Sequence, residues 1–121
     1  MARIKLALAA AAALALLAVP TVPAAPAKTL LKGTVGPGFT ISLKTASGAR
    51  VKTLKPGVYT IRVADKSDFH DFHLKGPGVN KRITTVGFKG TKTMTFTFKK
   101  GLYTYICDPH ASSMKGSFRV R

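Results

Sequence analysis

The chain of 121 residues has few acidic side chains and almost no thiol groups. It contains one cysteine, no tryptophan, no glutamate and only four aspartates, namely Asp65, Asp68, Asp71 and Asp108. A single cysteine excludes an internal disulfide framework and every zinc site that is built from several cysteines. With so few carboxylates, catalysis that needs several acidic groups is hard to assemble.

Positive charge dominates what is present. Twenty lysines and arginines give a formal net charge of +16, and 45% of the residues are hydrophobic. That apolar fraction is too high for a disordered basic tail, and the length allows one domain. The charge predicts anionic partners, such as acidic proteins, cell-wall polymers or membrane head groups. A merely solvated basic surface is an equally good alternative. Nucleic acid is not expected, because no basic run is interleaved with aromatic residues.

The N-terminus has the pattern of a secretory signal. Arg3 and Lys5 precede an unbroken apolar run, Leu6–Val19, which prolines and small residues follow. A positive start, an apolar stretch and a small-residue exit are typical of a cleaved signal peptide. Cleavage is predicted after Ala27, and cleavage after Ala24 is the alternative.

A permanent membrane anchor is the competing interpretation of this segment. The run Ile4–Val19 is shorter than the roughly 20 residues that a spanning helix needs, so removal is favoured. Residues 1–27 are therefore interpreted as a signal peptide and residues 28–121 as one mature domain. We expect export to the periplasm or the extracellular side, with association at the cell surface as an option.

The mature chain alternates apolar and polar residues with period two. This alternation is visible in four segments: Phe39–Leu43, Tyr59–Val63, Met94–Phe98 and Phe118–Val120. Glycine and proline turn signals separate them, and no segment has an apolar stripe at helical spacing. This pattern predicts an all-β fold, an antiparallel sandwich of about seven strands.

Chemically versatile side chains are concentrated in one loop near the C-terminus. Cys107, His110 and Met114 lie within eight residues, after a predicted strand in which Tyr103, Tyr105 and Cys107 share one face. Thiolate and thioether are soft donors that favour copper. Two histidines and one cysteine in a plane, with a long axial methionine, form the blue-copper arrangement. Such a site needs a second histidine from elsewhere.

Two histidines remain as candidates for the second histidine ligand, and the alternation of side chains along the strand (its parity) distinguishes them. Because successive side chains of a strand point to opposite faces, His70 shares a face with Phe72 and Leu74. His73 shares the polar face with Asp71. We therefore predict that His70 points into the core and is the ligand, and that His73 is exposed.

The same segments resemble the cupredoxin family of small blue copper proteins. The resemblance lies mainly in Gly101–His110, Met114–Phe118 and His70–Leu74, and it extends over most of Thr34–Arg121. It implies a Greek-key sandwich of seven or eight strands. Carried over position by position, it implies one type-1 copper ion with the ligands His70, Cys107, His110 and Met114.

The function that this resemblance implies is single-electron transfer by a secreted protein. The ion would cycle between Cu(I) and Cu(II), with His110 as the electron port. We expect a monomer that is not an enzyme, and redox partner proteins with acidic docking surfaces. Two alternatives stay open: an extracytoplasmic copper carrier or buffer, and a basic adhesion module with a relict site.

Three residues depart from the family pattern. Asp71 stands where the family usually has asparagine, and an ionised carboxylate only accepts hydrogen bonds, so a weaker tether between the two site loops is expected. Ile106 stands where plant plastocyanins carry an exposed tyrosine, which argues against a plastocyanin-like partner surface. Pro109 has no N–H to donate to the Cys107 sulfur.

Overall fold

The computed structural model describes residues 9–22 and 28–121. Residues 9–22 are exposed and contain neither helix nor strand. Within the two described ranges, no helix is long and apolar enough to cross a membrane. The predicted cleavage positions after Ala24 and Ala27 lie outside the described residues, as does the start of the apolar run.

Nine strands and one short helix make up the described part of the chain. The strands are β1 (Thr29–Val35), β2 (Ile41–Thr45), β3 (Thr53–Leu54), β4 (Gly57–Asp65), β5 (Phe72–Gly76), β6 (Val79–Thr84), β7 (Gly90–Phe98), β8 (Gly101–Ile106) and β9 (Lys115–Val120). A 3₁₀ helix (Asp108–His110) lies between β8 and β9.

The strands form two sheets that pack face to face. One sheet has the order β2-β1-β4-β7, and the other has the order β3-β9-β8-β5-β6. The predicted all-β sandwich is confirmed, but both sheets are mixed rather than antiparallel. β1 pairs with β4 in parallel, and the two-residue β3 pairs with β9 in parallel. Alternation along a strand identifies its buried face but not its neighbours, so these pairings were not visible in the sequence.

Aromatic and branched side chains fill the space between the sheets. The rings of Phe72 and Tyr105 stack at 5.5 Å between centroids, and those of Tyr103 and Phe118 stack at 5.2 Å. All four are at most 1% exposed, and burying a phenylalanine side chain contributes about 1.5–3 kcal/mol relative to exposure. Tyr103 also has a polar role, because its hydroxyl donates to the carbonyl of Lys99 at 2.9 Å and closes the turn between β7 and β8.

One end of the sandwich gathers the loops that carry the predicted site. The loop after β4 contains His70, and the loop after β8 contains Cys107 and His110. A third loop, between β1 and β2, lies beside them. Phe39 belongs to this third loop: it was expected to begin a strand with a buried face, but β2 begins at Ile41 and Phe39 is 63% exposed. The alternation at Phe39 is therefore not a strand signal.

Candidate metal centre

Cys107 is held at the exact point where β8 ends and the helical turn begins. It continues the inward face of β8, on which Tyr103 and Tyr105 are also buried. Its backbone N–H donates to the carbonyl of Met114 at 3.0 Å, and its carbonyl accepts from the N–H of His110 at 3.0 Å. The predicted parity of this strand is thus correct. These bonds fix the sulfur at the base of a closed loop.

His70 approaches from the loop that precedes β5. The strand begins at Phe72, so His70 is not a strand residue, yet its ring is fully buried on the side that parity predicted. The loop between β1 and β2 packs directly on the ring. A β-carbon at Gly36 would lie 3.0 Å from Cδ2 of His70, and Gly36 has φ +71°, a conformation that glycine adopts without strain.

Three donor atoms converge between these loops. Nδ1 of His70 lies 3.2 Å from Nδ1 of His110, and Sγ of Cys107 lies 3.6 Å and 3.5 Å from these two nitrogens. A point equidistant from the three atoms is about 2 Å from each, close to the roughly 2.0–2.3 Å bonds that nitrogen and sulfur ligands make to a first-row metal such as zinc. The cluster therefore fits a single metal ion of that size.

Met114 completes the loop that carries Cys107 and His110. Its side chain is fully buried, and its N–H donates to the carbonyl of His110 at 2.8 Å. The structure therefore brings His70, Cys107 and His110 into direct contact, and places the buried Met114 at the end of the loop that carries Cys107 and His110. With a thiolate, two imidazoles and a thioether, the donor set has the softness that copper prefers.

Burial controls the protonation of the cysteine. Desolvation by burial raises the pKa of the Cys107 thiol above its usual value, because the charged thiolate is poorly solvated inside the protein. A bound cation reverses this preference, since a coordinating thiol is deprotonated outright. Formation of the thiolate is therefore coupled to metal binding, and the protonated thiol is favoured when no metal is bound.

Asp71 tethers the two site loops to each other. Its Oδ1 accepts a hydrogen bond from the backbone N–H of Asp108 at 2.6 Å. This bond uses an acceptor oxygen that a carboxylate and an amide share. The expected weaker tether concerns the N–H donor that Asp71 lacks, so it stays a prediction. Burial, with Asp108 close by, raises the pKa of Asp71 to about 6.

His73 is not exposed, which corrects the prediction from parity. It is only 3% exposed, and its Nδ1 donates to the Asp108 carboxylate at 2.9 Å. Its Nε2 lies 2.5 Å from Oδ1 of Asn80. β5 is an inner strand between β8 and β6, and the helical turn at Asp108 covers its outer face. An outward-pointing side chain on this strand is therefore also buried.

The Asp108 carboxylate also accepts a hydrogen bond from a residue of strand β6. Nε of Arg82 donates to Oδ2 of Asp108 at 3.0 Å. Hydrogen bonding to the Asp71 carboxyl, with His73 and Arg82 adding to it, holds the pKa of Asp108 well below its usual range. Sequence reasoning missed Arg82. The available signal was the Gly76-Pro77-Gly78 turn, because a tight hairpin there brings Arg82 opposite His73.

Aromatic rings cover the solvent side of the cluster. Phe39 packs edge-on against His110 at 4.9 Å between centroids, and Phe69 lies 4.5 Å from the ring of His70. Phe39 and Phe69 are themselves 63% and 50% exposed, while His110 is half-buried. The histidine that was expected to reach the surface is thus partly shielded by Phe39.

Comparison with known proteins bears on the chemistry of this site. A family model described as copper binding proteins of the plastocyanin/azurin family matches residues 62–121, which include all three converging side chains. No curated protein matches the sequence.

Solved structures with the same architecture are copper proteins of low sequence identity. Auracyanin A, a blue copper protein from Chloroflexus aurantiacus, is 20% identical, with 78% of this chain and 100% of that chain covered and a TM-score of 0.53. The copper protein rusticyanin is 20% identical over 76% of each chain, with a TM-score of 0.51. At these identities the likeness concerns the fold.

Proposed function

The chain belongs to the plastocyanin/azurin family of copper-binding proteins, the cupredoxins, and from this premise we propose that it is a type-1 copper protein that transfers single electrons. In this proposal His70, Cys107 and His110 would hold the copper ion through one sulfur and two nitrogen atoms, and Met114 would supply a thioether as a further ligand. The observation that carries it is the triangle of Sγ and two Nδ1 atoms, whose edges are 3.2–3.6 Å long. Copper at such a site supplies one-electron redox chemistry.

The protein's contribution is a fixed geometry. Two backbone hydrogen bonds close the C-terminal loop: the N–H of Cys107 donates to Met114, and the N–H of Met114 donates to His110. The hydrogen bond from the N–H of Asp108 to Asp71 ties this loop to the loop of His70. Rigid donors keep their positions in both oxidation states, so little reorganisation accompanies electron transfer. This rigidity favours an electron carrier over a copper carrier, which must open its site to release the ion.

We propose that electrons enter and leave at the His110 side of the site. This ring is half-buried, and Phe39 stands between part of it and solvent. A partner protein that docks here would therefore contact Phe39 as well as the edge of His110. With a net charge of +16 on the chain, the partner is expected to present an acidic surface, which steers association electrostatically.

The N-terminal pattern supports export as part of this proposal. Residues 1–27 would be removed as a signal peptide, and residues 28–121 would work in the periplasm or outside the cell. The positive charge of this chain is the property from which acidic donor and acceptor proteins are inferred.

One titration tests the function. Purified protein receives Cu(II) in steps up to one equivalent, while the visible and paramagnetic resonance spectra are recorded. We expect an intense visible band from charge transfer between the thiolate and copper, and its loss in Cys107→Ser, because a hydroxyl cannot supply this transition. A blue band that persists in Cys107→Ser would refute the ligand assignment.

A second measurement separates electron transfer from copper carriage. The loaded protein is mixed with excess chelator, and in parallel it is cycled with a small reductant and oxidant. An electron carrier keeps its copper and cycles reversibly. Rapid loss of copper to the chelator without reversible cycling would instead support the carrier or buffer, and a protein that stays colourless with copper would support a relict site.

A further inference from the structure

One end of the sandwich, opposite the metal centre, has only positive side chains. Gly57 pairs with Phe98 and Gly101 pairs with Val120, so the β3–β4 turn, the β7–β8 turn and the end of β9 meet there. We call this end the basic pole. Its five charged side chains are all exposed: Lys28, Lys55, Lys99, Lys100 and Arg121.

The aspartates are all at the other end. Asp65 and Asp71 are buried, Asp108 is bonded to His73, and Asp68 lies in the loop after β4. The nine residues of β4 run from one end to the other, about 26 Å at roughly 3.3 Å per residue. This distance exceeds the Debye length of about 8 Å at physiological ionic strength, so the aspartates do not neutralise the field of the basic pole.

The polypeptide enters the fold at this same pole. Lys28 directly precedes β1, and Thr29 pairs with Tyr59 near the start of β4. In the sequence, the apolar run Leu6–Val19 precedes this entry point. If residues 1–27 direct export, as proposed above, the segment that engages the membrane is joined to the fold at the basic pole.

The side chains of the pole suit an extended partner with many negative charges. Three surface grooves, with volumes of about 510, 400 and 420 Å³, are lined by none of these five side chains. Lysine ammonium groups on flexible stems suit a diffuse array of negative charges better than one small anion.

We propose that the basic pole binds the anionic phospholipid head groups of a membrane surface, with the metal centre at the far end facing away. Each lysine or arginine near such a surface adds to the attraction. The far end then stays open to a soluble redox partner. The lipid contact itself does not depend on copper, so it holds whether or not the proposed electron transfer is correct.

The test measures vesicle binding by the chain Lys28–Arg121 without metal. This chain contains every core residue of the described ranges, from Leu31 to Val120, and it lacks the apolar run that would itself enter lipid. Sedimentation with vesicles of phosphatidylcholine alone, or with 30% phosphatidylglycerol, gives the bound fraction. We expect binding only to the anionic vesicles, and loss of binding as salt is raised.

Two variants of equal charge decide whether the pole is the contact. The first is Lys55→Gln, Lys99→Gln, Lys100→Gln at the basic pole. The second is Lys66→Gln, Lys89→Gln, Lys115→Gln, three exposed lysines at the end that carries the metal centre. We expect the first to raise the lipid concentration for half-binding at least tenfold, and the second less than threefold. Circular dichroism checks that both variants fold.

Three results would overturn the proposal. Equal weakening by both variants would mean that total charge, not the pole, governs binding. Equal binding to neutral and anionic vesicles would exclude electrostatic recognition. Binding to soluble polyglutamate that depends on the three pole lysines, without binding to anionic vesicles, would assign the pole to an acidic protein or polymer instead of a membrane.

Discussion

Nδ1 of His73 lies 2.9 Å from Oδ2 of Asp108, the residue that directly follows the cysteine of the cluster. Three positions earlier, Nδ1 of His70 faces the sulfur of Cys107 instead. Two neighbouring histidines therefore serve the same loop in different ways. His70 contributes a donor atom to the cluster, and His73 holds the carboxylate of Asp108, the residue after the cysteine.

This division predicts opposite outcomes for two alanine variants. His70→Ala should abolish the blue band, because one corner of the donor triangle is removed. His73→Ala should keep the band but lower the free energy of unfolding of the metal-free protein by about 2 kcal/mol, since a buried partner of a charged carboxylate is lost. Copper titration and urea unfolding measure the two effects.

Lys75→Ala is the matched control for His73→Ala, because Lys75 lies on the same strand and is exposed. It should change the unfolding free energy by less than about 0.5 kcal/mol. Bleaching of the His73 variant with retention of colour in the His70 variant would move the ligand assignment from His70 to His73.

Arg82 should matter less than His73, although both bond to Asp108. Its side chain is 54% exposed, and its Nε lies 3.0 Å from the carboxylate. Exposed ion pairs contribute about 0–1 kcal/mol, so Arg82→Gln should cost about 0.5 kcal/mol and leave copper binding intact. Urea unfolding at low and high salt checks this, and a cost that equals that of His73→Ala would contradict the ranking.

Replacing the buried thioether should change the redox equilibrium. Met114→Leu removes a donor that helps the oxidised ion more than an alkyl group does, so the reduction potential should rise. A tenfold change in the relative affinity for the two oxidation states corresponds to about 59 mV for one electron, and we expect a shift of this size. Voltammetry measures it, and an unchanged or lower potential would show that Met114 is not axial.

Copper should stabilise the fold by mass action. A ligand that binds only the folded state, at 100 times its dissociation constant, adds about 2.7 kcal/mol to the unfolding free energy. Thermal unfolding with and without copper should therefore show a large rise in the melting temperature for the unaltered protein. Cys107→Ser is the control, and it should show a much smaller rise.

The sequence was most informative where local pattern decides structure. Alternation placed Tyr103, Tyr105 and Cys107 on one face, and all three side chains are buried. The short spacing from Cys107 to Met114 predicted a single loop with both residues in it. In these cases the relevant contacts are made within one strand or one turn, so period and spacing are sufficient.

Contacts between distant segments were not predictable in the same way. Parity assigned His73 to a polar, exposed face, but that face is covered by a turn that lies 35 residues further along the chain. The aromatic cover at Phe39 comes from a loop that was interpreted as strand. Both errors have the same cause: alternation shows which side chains share a face, but not what lies against that face.

Gly36 supplies the last prediction, because it is where the first loop contacts the ring of His70. Alanine at this position would adopt φ +71° and place its β-carbon 3.0 Å from Cδ2 of His70. The left-handed conformation alone costs a non-glycine residue about 1–2 kcal/mol, and the contact should also push the ring away from Cys107. We therefore expect Gly36→Ala to lose about 1–2 kcal/mol of stability and to bind copper more weakly. Gly38→Ala, in the same loop with open space around it, should change neither quantity. Urea unfolding and copper titration of the two variants provide the comparison, and equal behaviour would show that Gly36 does not position the histidine.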